Sequence, residues 1–123
     1  MDWRRTTDPT RLCPKWVAVP YDEASADLST LGDSAGVVQR RLATARRSKR
    51  PKEEVAELEA AVEKTAAAYE EQSRVVCTYH VFVLRRAHGY CVLRGDTGSK
   101  IHALEPTLEK AQRAAEKLIG GGR

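Results

Sequence analysis

One phenylalanine, one methionine and two tryptophans among 123 residues leave Val, Leu and Ala as the main packing material of this chain. Cysteine is equally scarce. Cys13, Cys77 and Cys91 are an odd number, which suits free thiols better than a disulfide framework. The chain opens Met1, Asp2, Trp3, Arg4, Arg5, without an apolar export segment, so a reducing cytoplasm is the expected setting. No apolar run nears the roughly 18 residues of a membrane span. No P-loop, GxGxxG, HExxH or ordered Ser/His/Asp set occurs, so no catalytic residue and no cofactor is assigned, and the chain is read as a non-enzyme.

What is present is a mirrored pattern. Leu28, Leu31, Ala35, Val38, Leu42 and Ala45 recur with spacings of 3 and 4, and Val55, Leu58, Val62, Thr65, Tyr69 and Gln72 repeat the same spacings. Partner positions in the two runs sum to 100, from Ala45 with Val55 out to Leu28 with Gln72. A 3/4 alternation is the seam of a coiled coil, and a constant sum is what two antiparallel helices joined by a tight turn require. A helical hairpin over residues 23–74 is therefore predicted, with Ser48, Lys49, Arg50 and Pro51 as its turn and Pro51 at the first helical position. Gly32 and Gly36 each cost a helix about 1 kcal/mol. They mark either a close approach of another backbone or a break near residues 32–34.

Around the hairpin the pattern changes. Residues 1–22 read as a polar arm, broken by Pro9 and Pro14, with Trp16 to Val19 as a brief edge strand added to a later sheet. Residues 75–84 (VVCTYHVFVL) are β-branched and aromatic and predict a strand. Tyr90 to Arg94 and Lys100 to Leu104 give two more, with turns at residues 85–89 and 95–99. A last helix follows Pro106 and Thr107, with Leu108, Ala111, Ala115 and Leu118 on one face and Gly120 at its end. The fold class is thus α+β: a long antiparallel helical hairpin followed by a three-stranded antiparallel meander and a C-terminal helix, with residues 75–123 as one βββα module.

Charge supplies the candidate sites. The net charge is +4, and Arg40, Arg41, Arg46, Arg47, Lys49, Arg50 and Lys52 cluster at the hairpin tip. The mirror rule pairs Arg41 with Glu59, Arg46 with Glu54 and Arg47 with Glu53. Arg40, Lys49, Arg50 and Lys52 are left as candidate polyanion contacts, since each phosphate they neutralise would release counterions. Tyr79 and Tyr90 beside Arg85, Arg86 and Arg94 could stack on single-stranded nucleic acid or pack under the last helix. Cys77, His80, Cys91 and His102 have the composition of a Cys2His2 site, but a strand would point Cys77 and His80 to opposite faces, so no metal is assigned. Asp96-Thr97-Gly98 follows Arg94 and Gly95 rather than the apolar strand an aspartic protease needs, and Arg94-Gly95-Asp96 is read as a turn.

Three stretches, WVAVPYDEASADL, VAELEAAVEKTAAAYEEQS and VVCTYHVFVLRR, covering about residues 16–86, resemble small tail-assembly-type proteins of phages that infect actinobacteria. After Arg86 the resemblance stops, and the ending looks like small bacterial βββα domains. The resemblance implies a structural role in a virion, with protein partners and no catalysis. The residues themselves point to a protein that uses the hairpin as a packing arm, since residues 75–119 hold a core too small to stand uncovered. Self-association or a protein partner is expected, with Trp3, Trp16, Leu28, Leu31 and Tyr69 as the interaction face. The alternative is a small nucleic-acid-binding protein that uses the basic tip and the sheet.

Overall fold

A computed structural model describes residues 1–95 and 101–120. The chain folds as α+β, in the order β1 (Trp3–Thr7), β2 (Pro14–Ala18), α1 (Val19–Arg47), α2 (Lys52–Tyr79), β3 (Val81–Arg86), β4 (Gly89–Arg94), β5 (Ile101–Glu105) and α3 (Leu108–Gly120). It divides into two compact units, one formed by Met1–Glu23 with Val76–Arg123 and the other by Ala24–Val75.

The first unit is an antiparallel sheet ordered β1-β2-β3-β4-β5. Among the described residues it has five strands, where the sequence predicts a three-stranded meander with one brief edge strand added, because the N-terminal arm is itself a hairpin. β1 pairs with β2 from Trp3↔Ala18 to Thr7↔Pro14, and β2 pairs with β3 from Lys15↔Leu84 to Val17↔Phe82. The segment around Trp16 is therefore an interior strand, not an edge. β1 lacks the alternating apolar pattern because an edge strand needs only its backbone ladder, and Arg4, Arg5 and Thr7 are exposed. An Asp turn joins the two strands. The Asp8 carboxylate accepts the backbone N–H groups of Thr10 at 3.0 Å and Arg11 at 2.7 Å and the Arg11 guanidinium at 3.2 Å.

The two sheet faces are filled differently. Val81 and Val83 of β3, Val92 of β4 and Ala18 of β2 pack with Ala111, Ala115 and Ile119 of α3. Ala111 and Ala115 are wholly buried, and their small size lets the helix lie close to the sheet. Thr107 caps α3, its hydroxyl accepting the Lys110 N–H. Phe82, Leu84, Cys91 and Leu93 form the other face, with Cys13 from the Asp turn against them. β5 is described from Ile101 and runs to Glu105, one residue past the expected end at Leu104, and its pairing with β4 carries a register shift at Val92/Leu93. Asp96 to Lys100, which include the Asp-Thr-Gly string, lie outside the described residues, as do Gly121 to Arg123.

The second unit is the hairpin. α1 runs unbroken through Gly32 and Gly36, and the approach at Gly32 is to a ring: a Cβ built there would lie 3.3 Å from Cε2 of Tyr69. All six predicted seam positions of α1 are buried or half-buried, with Leu42 and Ala45 buried. On α2 five of the six are half-buried, and Tyr69 is exposed. Thr65 fits the seam because its hydroxyl donates to the Ala61 carbonyl of its own helix at 3.0 Å. The expected strand over residues 75–84 begins only at Val81, since α2 continues to Tyr79. The 3/4 spacing in fact persists beyond Gln72 through Val76 and Tyr79, both half-buried, and that packing overrides the β-propensity of Val75, Val76 and Thr78.

Candidate interaction groove on the helical hairpin

The turn at the hairpin tip is built by the end of α1. Lys49 donates its N–H to the Arg46 carbonyl at 3.3 Å and Arg50 donates to Ala45 at 3.0 Å. These are the two bonds of a Schellman closure, with Lys49 at φ +52° in the position usually held by glycine. The Pro51 carbonyl then accepts the Val55 N–H at 3.1 Å, so α2 starts at Lys52, one residue later than expected.

Beside this turn, one side of the hairpin opens into a groove of about 830 Å³. Val37, Thr44 and Ala45 of α1 and Leu58 of α2 give it an apolar floor, and Arg40, Arg41, Arg50, Glu54 and Glu57 line the rest. Val37 is 37% exposed. The ion pairs around it differ from the mirror rule. Arg46 meets Glu59 at 3.7 Å rather than Glu54, and Glu54 is taken by Arg50 at 3.3 Å. Side chains on a helix lean toward its N-terminus. In an antiparallel pair Arg46 therefore leans away from the tip and Glu59 toward it, and they meet with a sum above 100. Both pairs are more than 40% exposed and contribute about 0–1 kcal/mol each.

Of the four proposed polyanion contacts, Arg40 and Arg50 line the groove, whereas Lys49 and Lys52 are exposed at the turn. Arg50 was expected to be unpaired and is not. The hairpin also has no excess of positive charge: residues 24–75 hold nine Lys and Arg and nine Asp and Glu, and the whole net charge of +4 lies in residues 76–123. A neutral hairpin with carboxylates in the groove offers less to a phosphate backbone than the run of tip cations suggests.

The proposed interaction face is divided. Trp3 docks on its own unit, its indole donating to Glu116 at 3.0 Å. Trp16 packs edge-on to Tyr90 with ring centroids 5.7 Å apart, under the Arg5 guanidinium at 5.9 Å. Neither tryptophan is therefore a free anchor, and both are half-buried in the sheet unit. Leu28 and Leu31 are half-buried in the seam, and Tyr69 alone of the five is exposed, at 41%. The stacking platform is likewise absent as drawn. Tyr79 and Tyr90 pack against the core under α3, and Arg94 donates to the Leu118 carbonyl at 3.4 Å.

Among the described residues no group of three His, Cys, Asp or Glu side chains could hold a metal ion. Cys77 is exposed on α2 and Cys91 is buried in β4, so the Cys2His2 set is not assembled. Among the described residues, no helix is long and apolar enough to cross a membrane. His80 instead stacks on Tyr21 with centroids 4.7 Å apart at 23°, and its carbonyl accepts the Gly95 N–H at 2.8 Å. Sequence reasoning missed the groove itself; its signal was Val37, an apolar residue one position off the seam and flanked by Gly36 and Val38. Comparison of the chain with family models, with curated proteins and with solved structures finds no match.

Proposed function

We propose that this chain is a protein–protein interaction or assembly protein whose helical hairpin is a packing arm, with the groove beside the tip as the contact surface. One observation carries the reading: α2 extends over 28 residues without a single buried side chain. Most of the stability of a helix in a protein comes from packing an amphipathic face, not from propensity. Two helices that share one half-buried seam leave that packing incomplete, and a third or fourth helix completes it. Glu54 and Glu57 among the arginines of the groove favour a mixed-charge protein surface over a nucleic acid. In this reading Arg40, Lys49, Arg50 and Lys52 act as charge partners of that surface. The phage tail assembly implied by the sequence resemblance is one setting for such an arm.

The test is site-specific photo-crosslinking in the native cell, with benzoylphenylalanine at Val37 and, as a control, at Glu63 on α2, outside the groove lining. A discrete protein adduct at position 37 and none at position 63 is the expected result. No adduct at position 37 would remove the groove as a contact surface.

A further inference from the structure

We propose that the partner in this groove is the hairpin of a second copy of the chain, packed antiparallel so that each tip lies against the other's base. The inference rests on the packing-arm reading and adds the identity and orientation of the partner.

The hairpin is neutral as a whole but polar along its length. At the tip, Arg46, Arg47, Lys49, Arg50 and Lys52 stand against Glu53 and Glu54, a net +3. At the base, Asp27, Glu70 and Glu71 stand against Arg74, a net −2, and the stretch between them carries −1. The fold sets these charges at opposite ends, because the tip turn spans residues 48–51 and the Gln72 amide donates to the Ala24 carbonyl at the base, at 3.0 Å. Two such arms laid parallel would set +3 against +3. Laid antiparallel, each positive tip faces a negative base, and the two contacts are equivalent by the two-fold symmetry of a closed dimer. Complementary charge of this kind fixes register and orientation more than raw affinity.

Shape agrees with charge. Beyond the groove, the side of α2 that continues Glu54, Glu57 and Leu58 at helical spacing carries the small residues Ala61 and Ala68, both half-buried. A helix slim at that level can lie close in a groove floored by Val37, Thr44 and Leu58. Glu70 and Glu71 stand two and three residues beyond Ala68, at the level that an antiparallel pair sets against the opposing tip. The product is a four-helix bundle in which the half-buried seams gain the cover that a single hairpin does not give them.

Sedimentation equilibrium of the full chain tests this, with circular dichroism as a control on folding. The wild type should rise from 13.7 kDa toward twice that mass with concentration, and its association should weaken as salt is added. Changing Arg47, Lys49 and Lys52 to Glu makes the tip −3 and should weaken association at least about tenfold, since negative tips then face negative bases. Adding Asp27→Lys and Glu70→Lys to the same chain makes the base +2 and should restore it. Association unchanged or strengthened by the tip substitutions would overturn the antiparallel orientation. A wild type that stays at 13.7 kDa up to millimolar concentration would overturn self-pairing. The packing-arm reading would survive either result if position 37 still crosslinks to another protein, and would fail with it if no adduct forms.

Should the charge variants fail to fold, spin labels give the orientation. A label at Ser48→Cys, with Cys13 and Cys77 changed to Ser, should show an inter-copy distance of roughly 35–40 Å, the length of the arm at 1.5 Å per residue. A distance under about 20 Å would mean adjacent tips and a parallel pair.

Discussion

Arg50 donates its backbone N–H to the Ala45 carbonyl at 3.0 Å, and the residue they bridge over, Lys49, is held at φ +52°. A side chain in the left-handed region costs roughly 1–2 kcal/mol, and glycine avoids most of that cost. Lys49→Gly should therefore stabilise the hairpin by about 0.5–1 kcal/mol, seen as a higher midpoint in urea with an unchanged slope. A lower midpoint would mean that the lysine makes a contact worth more than the strain.

Gln72 supplies the matching closure at the other end of the hairpin, by donating its side-chain amide to the Ala24 carbonyl at 3.0 Å. Ala24 is buried, so the bond is partly shielded from water. Gln72→Ala should cost about 0.5–1.5 kcal/mol. Gln72→Glu should cost more at neutral pH, because a carboxylate faces a carbonyl oxygen and neither can donate. Urea titrations of the two variants at pH 7 and pH 4 separate the effects: only the Glu variant should recover stability when protonated.

Two glycines predict opposite signs for the same substitution. A Cβ at Gly36 would lie 3.3 Å from the Arg40 guanidinium, the far end of a flexible side chain. Gly36→Ala should then gain up to about 1 kcal/mol from helix propensity. At Gly89, φ is +140° and the Cβ would lie 2.6 Å from the backbone oxygen of Glu105. Gly89→Ala strains the backbone and pushes β5 from β4, so a loss of about 2–3 kcal/mol is expected. Thermal unfolding of the two variants beside the wild type checks both directions.

Asp8 makes stability depend on acid. The Arg11 backbone N–H, helped by that of Thr10 and by the charges of Arg11 and Lys15, holds its carboxyl below the usual aspartate range against the opposing effect of burial. A carboxyl with a lowered folded pKa contributes stability that is complete above its unfolded value of about 3.9 and is lost as pH falls through the folded value. Asp8→Asn keeps one acceptor oxygen for the turn but cannot titrate. Its unfolding midpoint should fall less steeply than that of the wild type between about pH 4 and pH 2. Identical slopes would show that other carboxylates set the acid limb.

The parts of the fold that were legible are those where burial imposes a period. The seam of α1 from Leu28 to Ala45, the turn at residues 48–51 and the apolar face of α3 are all one-sided helical surfaces. The illegible parts are held by backbone pairing or by reach. β1 is an edge strand whose side chains do not need to alternate, and β2 shows only Val17 and Ala18 fully buried. The extension of α2 to Tyr79 was hidden by β-branched residues whose spacing still followed the helix. Of the site, the cations were visible in the sequence. Their partners were not, because the mirror rule locates backbone levels, whereas Arg46 and Glu59 meet through side chains that lean several residues along their helices.

The three thiols report on that helical extension directly. Cys77 is exposed on α2, Cys13 is half-buried beside the second sheet face, and Cys91 is buried within it. Cysteine reacts as thiolate, and access to solvent orders the sites when nothing else distinguishes them. With a thiol reagent such as DTNB, Cys77 should react within the mixing time, Cys13 more slowly, and Cys91 only on unfolding. Cys77→Ser should delete the fast phase alone, and Cys91→Ser only the phase that appears in denaturant. Had residues 75–84 formed a strand paired into the sheet, Cys77 would have been one of its interior positions, and its fast phase would be missing.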